Sequence, residues 1–71
     1  MLWWGYKHIS GTYQAKPYRE PLDIEEAIVS PFCKIVVPRP FEAKDRDEAI
    51  AIVKQKTDDA ERFALQKLFN L

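Results

Sequence analysis

Two tryptophans, Trp3 and Trp4, stand side by side near the start of the chain. In a regular strand, successive side chains point to opposite faces of the sheet, so these two indoles cannot share one core. One of them packs in the core; the other is exposed or covered by something else. The sequence leaves open which is which.

The surrounding residues read as a β-hairpin over the first eighteen positions. Ser10-Gly11 is a two-residue turn signal, because glycine supplies the positive φ that primed hairpin turns require. A turn there pairs Ile9 with Thr12, His8 with Tyr13, Lys7 with Gln14, Tyr6 with Ala15 and Trp4 with Pro17. Alternation then sorts the hairpin into two faces. Leu2, Trp4, Tyr6, His8, Tyr13 and Ala15 make the core face. Trp3, Lys7, Ile9, Thr12, Gln14, Lys16 and Tyr18 make a mixed basic, polar and aromatic face.

Pro17 and Pro21 close the hairpin, and a helix is predicted from Asp23, with Glu26 completing the spacing of a capping box. Leu22, Ile24, Ala27 and Ile28 form its short apolar stripe, and Ser30-Pro31 ends it. Phe32 to Val37 is β-branched and reads as a third strand. Pro38 and Pro40 cannot donate ladder hydrogen bonds, so its end lies at an edge or leaves the sheet. Asp45 and Glu48 repeat the capping spacing ahead of Ala49, Ile50, Ile52 and Val53, the apolar side of a second helix. The polar stretch from Lys54 to Asp59 makes the tail ambiguous. Asp58 and Glu61 have the spacing to cap a new helix, yet Ala49, Val53, Ala60, Ala64, Leu68 and Leu71 stay in phase as one helix would require. The reading is a helix to about residue 56, then a second or continued helix over 59–69.

These elements predict one α+β domain over residues 1–71. It has a small three-stranded, mainly antiparallel sheet in ββαβα order, helices packed on one face, and a C-terminal helix that is long or broken in two. A 71-residue chain buries only about 60 % of its unfolded surface. Such a core is marginal and leans on its aromatics or on a partner, often a second copy.

The stretch Pro40-Phe41-Glu42-Ala43, followed by Glu48-Ala49, resembles the strand-to-helix junction of many small sheet-plus-helix domains. Among them are the arm-type DNA-binding domains of phage integrases, in which a three-stranded sheet enters DNA. The resemblance is confined to this junction. The chain departs from that pattern in its helix near residues 23–30 and in its zero net charge.

The sequence offers little to a catalytic reading. Cys33 and His8 are the single thiol and the single imidazole, too few for a structural zinc site. Cys33 reads as a strand-packing residue and His8 as a partly buried, hydrogen-bonded one. Ser10 and Ser30 sit in a turn and before a proline, not in a nucleophile elbow. The acid pairs Asp23/Glu26, Asp45/Glu48 and Asp58/Glu61 are accounted for by capping. Two glycines cannot build a phosphate loop. No catalytic residue, cofactor or metal is therefore expected. One cysteine, no signal-peptide pattern and no apolar run near the ~20 residues that span a bilayer point to the cytoplasm and away from membranes.

The function expected is a non-enzymatic protein–protein interaction module, with a homodimer as one form. Its contact residues would be Trp3, Lys7, Lys16 and Tyr18 on the mixed face, together with Phe63, Leu68 and Phe69 of the apolar tail, because aromatic residues dominate interface hot spots. The alternative is a small nucleic-acid-binding protein using Trp3, Lys7, Lys16 and Arg19 on a basic, aromatic sheet face. Residues 1–19 contain three basic side chains and no acid, whereas the remainder carries 8 basic and 11 acidic ones.

Overall fold

The structure, a computed structural model, describes residues 1–69, with side chains described through residue 63. The chain forms β1 (Leu2–His8), β2 (Tyr13–Pro17), α1 (Pro21–Val29), β3 (Cys33–Val36), β4 (Phe41–Glu42) and α2 (Arg46–Phe69). It is the α+β fold expected, with a small antiparallel sheet and two helices. The first strand is the central one. β2 pairs along one edge of β1, while β3 and then β4 share the other edge. The two-residue β4 escaped the sequence reading. Pro38 and Pro40 interrupt the ladder after Val37 donates to the Gly5 carbonyl at 2.9 Å, and the chain re-pairs at Leu2 and Trp3 once it is past them.

The hairpin register differs from expectation by one residue. The Gly11 N–H donates to the His8 carbonyl at 2.9 Å, and the His8 N–H donates to the Thr12 carbonyl at 2.8 Å. The loop is therefore Ile9-Ser10-Gly11, three residues rather than two. Gly11 has φ +96° at the position where three-residue hairpins place a left-handed glycine. The Ser10 N–H donates to His8 Nδ1 at 3.1 Å, and Ser10 Oγ lies 3.2 Å from Thr12 Oγ1, so the turn is closed by its own side chains. The pairs become Trp3 with Pro17, Trp4 with Lys16, Gly5 with Ala15, Tyr6 with Gln14 and Lys7 with Tyr13. A slip of one residue turns every side chain of β2 to the opposite face relative to β1.

Both tryptophans are buried, Trp3 with 6 % and Trp4 with 7 % of its surface exposed, because each face of the sheet has its own helix. Trp3 packs with Ala15, Ala43, Ala49 and Val53 beneath α2, and its indole N–H donates to the Ala43 carbonyl at 3.1 Å. Trp4 packs with Ile24 and Ala27 of α1. The two helices thus lie on opposite faces rather than on one, a correction that the adjacent tryptophans themselves required. α2 presses closely on β1. A β-carbon at Gly5 would fall on the Gln14 carbonyl oxygen and on Val53 Cγ2, well inside van der Waals distance.

The helix ends show which capping signals operate. Asp45 caps α2 as its spacing predicted, accepting from the Glu48 N–H at 2.9 Å. α1 begins two residues before Asp23, with Pro21 in its first turn, where a missing N–H costs nothing, and Glu20 as N-cap. Asp23 sits inside the first turn and accepts from the Arg19 N–H at 3.4 Å. α1 stops where expected, with Ser30 extended before Pro31.

α2 is one continuous helix through the polar stretch. Ala49, Val53 and Thr57, spaced by four, are fully buried or nearly so. The Thr57 hydroxyl donates to the Val53 carbonyl at 2.9 Å, so the buried polar group is satisfied without leaving the helix. Asp58 and Glu61 do not cap a new helix; they face the hairpin.

Candidate functional site

Each helix covers only part of its face, and the uncovered parts are the accessible surfaces of the molecule. α2 packs on β1 and β2, leaving β3 open on that side; α1 packs on β3 and β1, leaving β2 open on the other. The groove beside α2 has a volume of about 420 Å³ and is largely apolar, walled by Ile35, Val37, Pro38 and Phe41 against Lys56 and Ala60. The groove beside α1 has a volume of about 560 Å³ and a different character.

Trp4 and Tyr6, two residues apart on β1, form the floor of this second groove, with ring centroids 5.7 Å apart and planes tilted by 32°. Lys16, opposite Trp4 in the ladder, places its ammonium 6.0 Å from each ring. Arg19 and Arg46 join it at the rim, while Asp23 and Glu26 of α1 line the facing wall. No carboxylate among the described residues lies within 4.0 Å of the Lys16, Arg19 or Arg46 cations.

A third surface is the end of the molecule at the hairpin turn. α2 runs toward it, with Val53 over Gly5 and Asp58 and Glu61 over the last hairpin pair. α1 also ends there, since Cys33 just beyond it pairs with His8. Val29 is 81 % exposed, Phe32 60 % and Phe63 68 %, and Ile9 and Ile28 are exposed as well. His8 stacks on Phe32, with ring centroids 6.3 Å apart.

The residues expected to share one contact face are divided by the register. Trp3 lies beneath α2 and offers no ring to a partner. Lys7 is on the same face, its Nζ 2.7 Å from Glu61 Oε1 and its side chain largely covered. Lys16 and Tyr18 are on the opposite side with the Trp4 cluster. Arg19 is exposed at the groove rim. Phe63 is exposed near the turn, and the side chains of Leu68 and Phe69 lie outside the described residues. The face made of Trp3, Lys7, Lys16 and Tyr18 therefore does not exist as one surface.

Lys7 and Tyr13 form a polar clasp between hairpin and helix. Tyr13 donates to Asp58 Oδ1 at 2.8 Å, and the Lys7 ammonium lies 5.5 Å from the Tyr13 ring. The hydrogen bond to Glu61 raises the Lys7 pKa above its ordinary value, against the opposing effect of desolvation. The hydrogen bond to Asp58, helped by desolvation, raises that of Tyr13.

Sequence reasoning missed Tyr6, Trp4 and Arg46 as neighbours of Lys16. The first two were assigned to the core face by the wrong register, and Arg46 carries no signal beyond its place after the Asp45 cap. His8 and Cys33 are cross-strand partners, but His8 Nδ1 engages Ser10 Oγ at 2.9 Å and Cys33 packs in the Trp4 cluster, so no thiol–imidazole pair forms. Among the described residues, no group of three His, Cys, Asp or Glu side chains could hold a metal ion, and no helix is long and apolar enough to cross a membrane. Comparisons of the chain with family models, with curated proteins and with solved structures found no match.

Proposed function

We propose that this protein is a non-enzymatic protein–protein interaction module whose contact surface is the apolar end around the hairpin turn. The observation that carries the reading is the exposure of Ile9, Val29, Phe32 and Phe63 in the segments that end near the turn, with the Ile9 N–H bonded to the Phe32 carbonyl at 3.0 Å. Large apolar side chains left exposed close together are what marks an interaction site on a small protein. Sheet extension is a poorer route to association. Pro17 ends β2 and Pro38 follows β3, so each outer edge lacks a donor at one end.

The zero net charge leaves no long-range repulsion between copies, so self-association is one form this contact can take. The test is a pair of variants at exposed positions, Phe32→Asp and Ile9→Asp. Light scattering over a concentration series and chemical cross-linking in the native host are expected to show an assembly or a captured partner that both variants lose. Variants that match the parent in mass and in cross-linked products would sink the reading.

A further inference from the structure

We propose, independently of the interaction reading, that the groove between α1 and β2 binds a nucleoside phosphate, either free or as a unit of a single strand. Three chemistries meet in this cleft. Tyr6, half-buried beside the buried Trp4, offers a ring face that suits a planar ring. The Lys16, Arg19 and Arg46 cations at the rim, with no carboxylate within 4.0 Å among the described residues, suit an anionic group. Asp23 and Glu26 on the facing wall are acceptors for the amino and ring N–H groups of a base.

A ligand with only one of these features fits poorly. An acidic peptide would meet the two carboxylates, and a cation would meet Lys16 already over the rings. A molecule with a donor-bearing planar ring at one end and a phosphate at the other uses all three walls. The groove volume of about 560 Å³ lies within the ~300–1,000 Å³ range of small-molecule sites.

The two tryptophans supply an internal control. Both indoles are buried, but Trp4 borders the groove beside Tyr6, whereas Trp3 lies beneath α2 on the far face with its indole N–H bonded to Ala43. The experiment follows the two indole N–H signals by NMR during titration with adenosine and guanosine monophosphates, inorganic phosphate, a short mixed-sequence single-stranded RNA and an acidic tyrosine-containing peptide. The expected result is that the Trp4 signal moves with a nucleotide while the Trp3 signal stays, and that inorganic phosphate binds at least about tenfold more weakly, reflecting the lost stacking. The double variant Arg19→Gln/Arg46→Gln, at exposed positions, is expected to keep its circular dichroism and lose about tenfold in affinity. RNA binding about tenfold tighter than mononucleotide identifies a strand as the source, with a slope of log affinity on log salt no steeper than about −2 for three contacts. Equal affinities identify a free nucleotide. The proposal is overturned if no nucleotide or RNA moves the Trp4 signal of the folded protein, if phosphate or the acidic peptide binds as well as nucleotide, or if the double variant binds unchanged.

Discussion

On the face of the sheet covered by α2, the fit is close throughout. Ala49 and Val53 have no exposed surface, Gly5 admits the helix to the strand, and the clasp of Lys7–Glu61 and Tyr13–Asp58 holds the far end. The face covered by α1 is loose by comparison. A helix of 9 residues buries Ile24 and Ala27 on Trp4, exposes Leu22 and Ile28, and leaves a groove beside it in which Tyr6 is only half-buried. A chain this short cannot seal both sides of a sheet. It concentrates packing on one side, and the surface chemistry collects on the other.

The severest challenge to this comparison is Gly5→Val. The added side chain must displace a backbone carbonyl and the Val53 methyl together, and overpacking of this kind costs about 3 kcal/mol or more. Loss of the cooperative thermal transition is expected; a variant that melts like the parent would mean that α2 does not lie close on β1. Next in size is the contrast between Trp3→Leu and Trp4→Leu. Trp3 loses packing under α2 and leaves the Ala43 carbonyl without its donor, so its cost is expected near ~3 kcal/mol against ~2 kcal/mol for Trp4. Urea unfolding in which Trp4→Leu proves the costlier change would reverse the ranking of the two faces.

Gly11→Val should cost about 1 kcal/mol, because a β-carbon there meets nothing within 4 Å and the positive φ is what resists it. No change in urea midpoint would argue against the three-residue loop. The smallest effect concerns the clasp. Lys7 and Tyr13 both have raised pKa values in the folded protein, so their protonated forms are the stabilised ones. Their contribution is complete below the ordinary values of 10.5 and 10.0 and is lost as pH rises through the raised ones. The melting midpoint is expected to fall above about pH 10, and the double variant Lys7→Met/Tyr13→Phe to show a flatter alkaline limb. Parallel limbs in parent and variant would show that the clasp does not hold the tight face.

Much of the fold can be read from local signals. Asp45 caps where its spacing to Glu48 requires, Ser30-Pro31 stops α1, and the β-branched Ile35 and Val36 mark β3. The hairpin register cannot be read that way, since a two-residue turn and a three-residue loop both want glycine at position 11. Yet that choice decides which residues share a face. It moved Lys16 and Tyr18 away from Trp3 and Lys7, and the expected contact surface dissolved with it. The continuity of α2 was legible only as one of two options, since the phase of Ala49, Val53 and Ala60 fits one helix and the polar stretch after Val53 fits a break. Thr57 looks polar in sequence, and only its bond to the Val53 carbonyl explains its burial. Of the candidate site residues, Lys16 and Arg19 were legible as exposed cations. Arg46 was not, because it reaches the groove only after the whole chain has folded around β1.

That β1 is first in the chain and central in the sheet has a consequence in time. Trp3 waits for the carbonyl of Ala43, 40 residues later, to satisfy its indole N–H. At ~5–20 residues per second of synthesis, that interval is on the order of 2–8 s. Throughout it the hairpin can form but has nothing to close its tight face, and the Trp3 indole stays open to any apolar surface nearby, whereas Trp4 gains Ile24 and Ala27 of α1 sooner. The emerging chain is then at its most adhesive when it is least complete.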